Sequence, residues 1–222
     1  HDVIPWCPRC GTGISQHEMQ EGYEETSHLS VVVRFPLLNR DKEALLVWTT
    51  TPWTLSSNVA VAVHPDFVYL KVRQNDWCYY VLKSRAEVVL NGQGTWEVVE
   101  ELKGSDLIAR DFSYAGPFDE LPAQQGIQFY HKVIPWKDVT EEEGTGIVHI
   151  APGCGAEDFM LGKEFDFPAI APIDENGLFV EGFDWLQGNH ASEVAEAVEQ
   201  NLKEKHLLYS SEQYVHYYGH CW

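Results

Sequence analysis

The stretch LVWTTTPWTLSSNVAVAVHPD, residues 46–66, sets three consecutive threonines and a fourth around one proline and two tryptophans. Its first part continues the β-branched run ALLVWT (Ala44–Thr49), and its last part is the alternating VAVAV (Val59–Val63), so both ends read as strands. Between them Pro52 keeps Thr51 out of helical conformation, because its ring crowds the preceding residue. Consecutive hydroxyls at a strand end offer donors and acceptors to both sides of a cleft without adding charge. That suits a water, a ribose hydroxyl or a carbonyl. Threonine is also an ordinary strand and turn residue, so the run alone leaves both readings open.

The same pattern extends in both directions. Leu29–Phe35 (LSVVVRF), Phe67–Val72 (FVYLKV) and Trp77–Lys83 (WCYYVLK) are further strands, with HPD at residues 64–66 as a turn. Residues 91–132 carry Gly and Pro at short intervals and predict more strands with long connections. GTGIVHIAP, residues 144–152, is a short buried-type strand ending at a proline, and glycines then open into a helix-like segment. The clearest helix spans Ser192–Leu208, where Val194, Val198 and Leu202 step by four on one face and Glu193, Glu196, Glu199 and Lys203 fill the other. Many short strands with two or three helices predict an α/β domain, β-barrel-like with flanking helices.

The totals restrict what such a domain does. Its 222 residues allow one large domain with a small appendage. No apolar run of about 18 residues occurs, so no membrane span is expected, and HDVIPWCPRC lacks the features of a signal peptide. A cytoplasmic, monomeric protein is the expectation. With 34 acidic against 15 basic residues and a formal charge of −19, any contact with a nucleic acid must be local or supported from outside this chain.

Cysteine placement adds a metal expectation. Cys7 and Cys10 have the C-x2-C spacing at which two thiolates on a tight turn reach one zinc ion, and Cys221 lies near the other end of the chain. The expectation is a structural zinc site held by Cys7, Cys10 and Cys221 with its fourth ligand beyond this sequence. A redox pair at Cys7 and Cys10 is the alternative. Ends that meet at one zinc knuckle describe an insertion within a larger protein, with strips 1–22 and 209–222 flanking a body of residues 23–208.

Three side chains carry possible chemistry. Asp158 follows a glycine-bearing loop and falls in the first turn of a helix, where free N–H groups favour an anion that stays ionised at neutral pH and holds a ligand's ammonium group. Acids there also serve simply to stabilise helices. His149 alternates with Val148 and Ile150, which should face the other side of the sheet; a buried structural histidine fits equally. Cys154 sits between two glycines, but a cysteine nucleophile needs a base held against its sulfur.

WTTTPWTLSSNVAVAVHPD (residues 48–66) and GTGIVHIAPGCGAEDF (residues 144–159) together resemble the editing domain of isoleucyl-tRNA synthetase, the connective-polypeptide insertion in its ATP-binding catalytic domain. CPRCGT (residues 7–12) and HCW (residues 220–222) resemble the zinc strips that flank it, so the resemblance covers essentially the whole chain. Related valyl and leucyl enzymes typically carry arginine where this sequence has Thr51, which favours the isoleucine member. The sequence departs from the family at Ser56, where proline is usual, at Cys154, in a variable loop position, and in the absent fourth zinc ligand.

The resemblance implies hydrolytic proofreading. One missing methylene is worth only about 1–3 kcal/mol to a binding pocket, a limit for which the isoleucyl enzyme is itself the standard illustration. A second site therefore hydrolyses the mistaken valyl ester and excludes the isoleucyl ester by size. By resemblance, His149 forms the size limit, Asp158 holds the α-ammonium, and Thr50 and Thr51 bind the terminal adenosine and position water. Trp48 and Thr49 complete that wall. The implied partners are the 3′ end of tRNA(Ile) carrying valine, valyl-adenylate and the rest of the synthetase. No cofactor is needed for the hydrolysis, and assistance from a ribose hydroxyl of the substrate is compatible with it. A non-catalytic zinc ribbon binding RNA or protein is the rival; it gives Asp158 and the threonines no task.

Overall fold

The computed structural model describes residues 4, 6–7, 10–15 and 23–219, with side chains for all of these except 23–26 and 216–219. Two short strands, β1 (Trp6–Cys7) and β2 (Thr12–Gly13), form an antiparallel hairpin. The main sheet holds β3 (Tyr23–Pro36), β4 (Glu43–Thr49), β5 (Ala60–Val63), β6 (Val68–Gln74), β7 (Trp77–Leu82), β8 (Trp96–Lys103), β9 (Val133–Pro135), β10 (Ile147–Ile150) and β11 (Leu208–Gly219). Four helices accompany it: α1 (Ala86–Leu90), α2 (Gly104–Ala109), α3 (Ala156–Glu164) and α4 (Ala195–Glu204).

The strand path runs β8-β6-β7-β4-β10-β5-β9, with the β3–β11 ribbon joined through β4. It leaves β8 and β9 as edges, so the sheet curls into a half barrel instead of the fuller barrel the strand count suggests. β4 is the hub. It pairs antiparallel with β3, parallel with β7 at Glu43–Leu45, and parallel with β10 at Trp48. β4 thus passes from β7 to β10 just before the threonine run begins.

Strand alternation explains why ALLV reads as an unbroken apolar run. Leu45 and Val47 enter one core with Phe35, Leu55, Tyr69 and Tyr80, while Ala44 and Leu46 enter another with Leu70, Val81 and Tyr209. A third apolar cluster joins Ala60, Ala62 and Ile150 to Leu161 of α3. Helix α4 buries Val198 and Leu202 with Val194 just before it, as the step of four predicts. It is shorter than the Ser192–Leu208 span that the sequence predicts. A 3-10 turn at Ala191–Glu193 precedes it, and beyond it His206 turns left-handed at φ 58° before Leu208 enters β11.

Residues 91–132 hold a single strand, β8, followed by α2 and irregular segments with 3-10 turns, so the further strands expected there do not form. β11 follows β3 as far as Gly219 opposite Tyr23, and the first and last strands of the sheet therefore run side by side away from its body. Cys221 lies outside the described residues, as do His220 and the last strip of the expected zinc knuckle. Among the described residues, no helix is long and apolar enough to cross a membrane.

Candidate active site

Thr49 ends β4, and Thr51 caps a 3-10 turn over Pro52–Ser57 in non-helical backbone, φ −124° and ψ 71°. Pro52 begins this turn, where its fixed φ suits helical backbone and its missing N–H costs nothing. The backbone N–H and Oγ1 of Thr54 both reach the Thr51 carbonyl, at 3.0 and 2.8 Å. Thr49 Oγ1 accepts the Thr51 N–H at 3.1 Å. The hydroxyls then form a chain: Thr49 to Thr51 at 3.2 Å, Thr51 to Thr54 at 3.3 Å, and Thr54 to His149 Nε2 at 2.9 Å.

The proton inventory gives the end of this chain a direction. His149 Nδ1 is buried without a hydrogen-bond partner. Burying an unsatisfied N–H there costs more than burying a lone pair, so the proton belongs on Nε2, which donates to Thr54 Oγ1. Thr54 in turn donates to the Thr51 carbonyl. Burial pushes His149 down to about 4, so the ring is neutral at physiological pH. It is a fixed donor and a wall, and among the described residues no hydrogen bond joins it to Cys154. Burial also pushes the Cys154 thiol up to about 12, far from a reactive thiolate. The cysteine-hydrolase alternative has neither its base nor its nucleophile.

The two elements meet through the sheet. β10 carries His149 opposite Val61 of β5 and Val148 opposite Trp48 of β4. Ile147 enters the main core, whereas Val148 and Ile150 lie with the third cluster, so His149 does face away from its immediate neighbours. After β10 the chain turns sharply. Cys154 N–H donates to the Ala151 carbonyl at 2.8 Å, and a Cβ on Gly153 would stand 1.9 Å from the Ile170 carbonyl oxygen, so only glycine fits. Helix α3 follows with Asp158 in its first turn, where Asp158 Oδ2 accepts the Ala151 N–H at 2.8 Å.

Asp158 departs from expectation in degree. Burial, partly offset by the Ala151 N–H and reinforced by Glu157, raises its carboxyl to about 6. The carboxylate still predominates at pH 7, but desolvation outweighs the helix N-terminus. Such a poorly solvated anion gains strongly from a cation placed beside it.

These side chains share one cavity of about 450 Å³. Trp48, Thr49, Thr50, Thr51, His149 and Asp158 all line it, together with Trp53, Thr54 and Cys154. Its remaining wall is the loop from Asp138 to Gly146. Gly144 lies there at φ 65°, and a Cβ would meet the Trp48 ring at 2.7 Å, so loop and tryptophan touch only because the residue is glycine. Among the described residues Thr50 finds no side-chain hydrogen-bond partner, and its hydroxyl lines the cavity where a ligand would sit.

Sequence reasoning missed the partners behind this wall. Asn58 Oδ1 accepts the Tyr114 hydroxyl at 2.7 Å, its amide donates to the Ala60 carbonyl at 2.9 Å, and Gln124 donates to the Ser56 carbonyl at 2.7 Å. Asn58 ends the 3-10 turn within the quoted stretch, and its type at a turn end was the available signal. Nothing in sequence spacing points to Tyr114 or Gln124. Ser56 Oγ donates to the Trp53 carbonyl at 2.8 Å, a local bond that stabilises the turn.

At the opposite end of the chain, Gly11 N–H donates to the Cys7 carbonyl at 2.9 Å across the β1–β2 turn, which brings Cys7 and Cys10 onto one tight bend. Among the described residues, no group of three or more His, Cys, Asp and Glu side chains is arranged to hold a metal.

Compared with known proteins, the chain matches no family profile. It is 40% identical over 229 residues to the isoleucine–tRNA ligase of Pyrococcus furiosus and 38% identical over 222 residues to that of Clostridium novyi. Those alignments cover 99% and 100% of this chain. The chain is homologous to a segment of isoleucine–tRNA ligases. It spans 21% of the length of these relatives. Among solved structures, the leucyl-tRNA synthetase fragment described as GlLeuRS-CP1 has a TM-score of 0.63 at 14% identity, covering 85% of this chain and 99% of its own. The editing domain of the P. knowlesi cytosolic leucyl-tRNA synthetase has a TM-score of 0.58 at 10% identity, covering 89% of this chain and 99% of its own. The half barrel is therefore the fold of synthetase editing domains.

Proposed function

We propose that this chain is the editing domain of an isoleucyl-tRNA synthetase and that its cavity hydrolyses valine misattached to the 3′ end of tRNA(Ile). The observation that carries the reading is the convergence, in one cavity, of the threonine wall, a neutral buried histidine and a desolvated carboxylate. Asp158 holds the α-ammonium of the ester. Thr50 and Thr51 position the terminal adenosine and the attacking water, Trp48 and Thr49 complete their side of the wall, and His149 limits the depth available to the side chain. Water adds to the ester carbonyl, the bond from that carbon to the ribose oxygen breaks, and the ribose oxygen takes up a proton. An aminoacyl ester is already activated, so orientation supplies much of the rate. Valyl-adenylate presents the same aminoacyl and adenosine groups and is the second substrate of this site.

We also propose a structural zinc held by Cys7, Cys10 and Cys221. Its support is the tight turn that carries the first two thiols, and zinc would stabilise the hairpin without entering the hydrolysis.

The test is the time course of Val-tRNA(Ile) and Ile-tRNA(Ile) hydrolysis by this chain. Selective loss of the valyl ester supports the reading; equal loss, or none from a folded chain, removes it. Two further outcomes follow from the geometry. Only the Asp158 carboxylate holds the ammonium, so kcat/KM falls about tenfold per pH unit below about 6 as it protonates. The upper limb belongs to the substrate's amino group, near 7.7–8.0 for an unperturbed α-amine. A flat profile from pH 5 to 7 excludes the carboxylate anchor.

Thr54→Val keeps the side-chain shape but strands the His149 donor. Loss of about 1–3 kcal/mol of stability is expected, with weaker discrimination between the two esters. Thermal melts and paired hydrolysis rates check both effects; an unchanged melt shows that the Thr54–His149 bond contributes nothing.

A further inference from the structure

The threonine turn, Pro52–Ser57, is held differently at its two ends. Its start is tied locally, by the bonds from Thr54 to the Thr51 carbonyl. Its far end is tied to distant parts of the chain. Gln124 donates to the Ser56 carbonyl and the Tyr114 hydroxyl to Asn58 Oδ1, both at 2.7 Å. The Asn58 amide donates in turn to the Ala60 carbonyl at 2.9 Å. One side chain thus joins the end of the turn to β5 and to Tyr114. Neither Asn58 nor Tyr114 lines the cavity.

Tyr114 is a rigid anchor. It is fully buried, and its ring stacks on His131 at 4.7 Å and packs against Phe35 at 5.1 Å. A bridge to Leu37 fixes its backbone beside the end of β3. His131 is also fully buried, 3.7 Å from Asp119, whose carboxylate accepts the Gly116 N–H at 2.8 Å. A Cβ on Gly116 would stand 2.7 Å from the His131 ring, so the chain closes tightly around the stack. Burial raises the Tyr114 hydroxyl well above its ordinary value, which keeps it protonated and donating at neutral pH.

We propose that Tyr114 is a positioning residue for ester hydrolysis, acting through Asn58 to fix the far end of the threonine turn. The turn in turn places Thr51, and Thr54 against His149 Nε2 at 2.9 Å. The assignment rests on the reading above, in which these hydroxyls place the attacking water. A wall displaced by about 1 Å costs about 100-fold in rate. Asp158 on α3 and Trp48 on β4 lie outside the turn, so the ester still binds when the turn slackens.

The test compares Tyr114→Phe with Leu107→Val, a truncation buried on α2 and outside the cavity wall. Phenylalanine keeps both ring contacts, so the fold survives while Asn58 Oδ1 loses its donor. Both variants should melt lower than wild type. Only Tyr114→Phe should hydrolyse the valyl ester more slowly at saturation, by about tenfold or more, with half-saturation changed less than about threefold. Hydrogen exchange gives a second readout that does not depend on hydrolysis. The Thr54 and Asn58 amides, bonded to the Thr51 and Leu55 carbonyls at 3.0 and 3.2 Å, should exchange faster in Tyr114→Phe than in Leu107→Val. An unchanged rate in Tyr114→Phe, an equal loss in Leu107→Val, or slower hydrolysis without faster exchange at these two amides overturns the proposal and leaves the editing reading. A folded wild-type chain that hydrolyses neither ester removes the editing reading, and this assignment with it.

Discussion

Asp158→Asn should abolish most hydrolysis of the valyl ester while leaving the chain folded and at least as stable at pH 7. Two functions of this side chain separate in that variant. The carboxylate accepts the Ala151 N–H at 2.8 Å, and an asparagine carbonyl accepts the same bond, so the loop leading into α3 keeps its support. What disappears is the charge. Losing one partner of a buried charge pair costs about 2–5 kcal/mol, so kcat/KM should fall by roughly 30-fold to several thousand-fold. Asp158→Ala should lose as much activity and also strand the Ala151 N–H, at a further cost of about 1–3 kcal/mol in stability.

The sign of the stability effect follows from the raised carboxyl. Its folded value of about 6 lies above the ordinary 3.8, so its contribution to folding is fully present below pH 3.8 and is lost as pH rises through 6. At pH 7 the ionised group therefore opposes folding, by about 1–3 kcal/mol once part exposure is allowed for. Asparagine removes that penalty. Melting curves of wild type and variant at pH 4 and 7 check this: the variant should gain only at pH 7. Full activity in Asp158→Asn would show that the ammonium is held elsewhere.

Much of the site was legible because its chemistry is concentrated in two short stretches. Pro52 dictates the non-helical Thr51 and the turn after it, and strand alternation places His149 on the cavity side; both are local rules. The meeting of the stretches is not local. Trp48 faces Val148 only because β4 exchanges β7 for β10 along one edge, and no residue type marks that exchange. Long-range hydrogen bonds were equally invisible. Tyr114 lies 56 positions from Asn58, and its hydroxyl is matched to that amide by the fold.

The raised Asp158 carboxyl was invisible in the sequence for a related reason. The helix start argues for a low value, and burial, which depends on the whole cavity, reverses it. In the fold itself, the helix expected to reach Leu208 stops at Glu204, because the apolar step of four ends at Leu202 and β11 claims Leu208. The half barrel stays open because the strand path ends at β8 and β9 without pairing them to each other, a choice that strand patterns do not encode.

The second large effect concerns His149. Replacing it with alanine should turn the isoleucyl ester from an excluded compound into a substrate. The ring's place on β10 is fixed by strand register, and its orientation by Thr54 at 2.9 Å. A neutral, immobile ring makes a hard boundary, because packed side chains yield little to an extra methylene. Alanine leaves a void larger than one methylene, while Thr54 keeps its 2.8 Å bond to the Thr51 carbonyl, so the turn survives.

With the boundary gone, the two esters differ only by ordinary burial of one methylene, about 0.8 kcal/mol. Discrimination should collapse to roughly fivefold or less. An acid melt provides an independent readout. Folding depresses His149 from 6.5 to about 4, so its contribution to stability is present above pH 6.5 and is lost as pH falls through 4. His149→Ala should lose about 3 kcal/mol of that acid sensitivity. If the variant gains acid tolerance yet still ignores Ile-tRNA(Ile), the ring is buried as described but another residue sets the size limit, and the wall must be sought among Trp53, Val139 and Ile147 across the cavity.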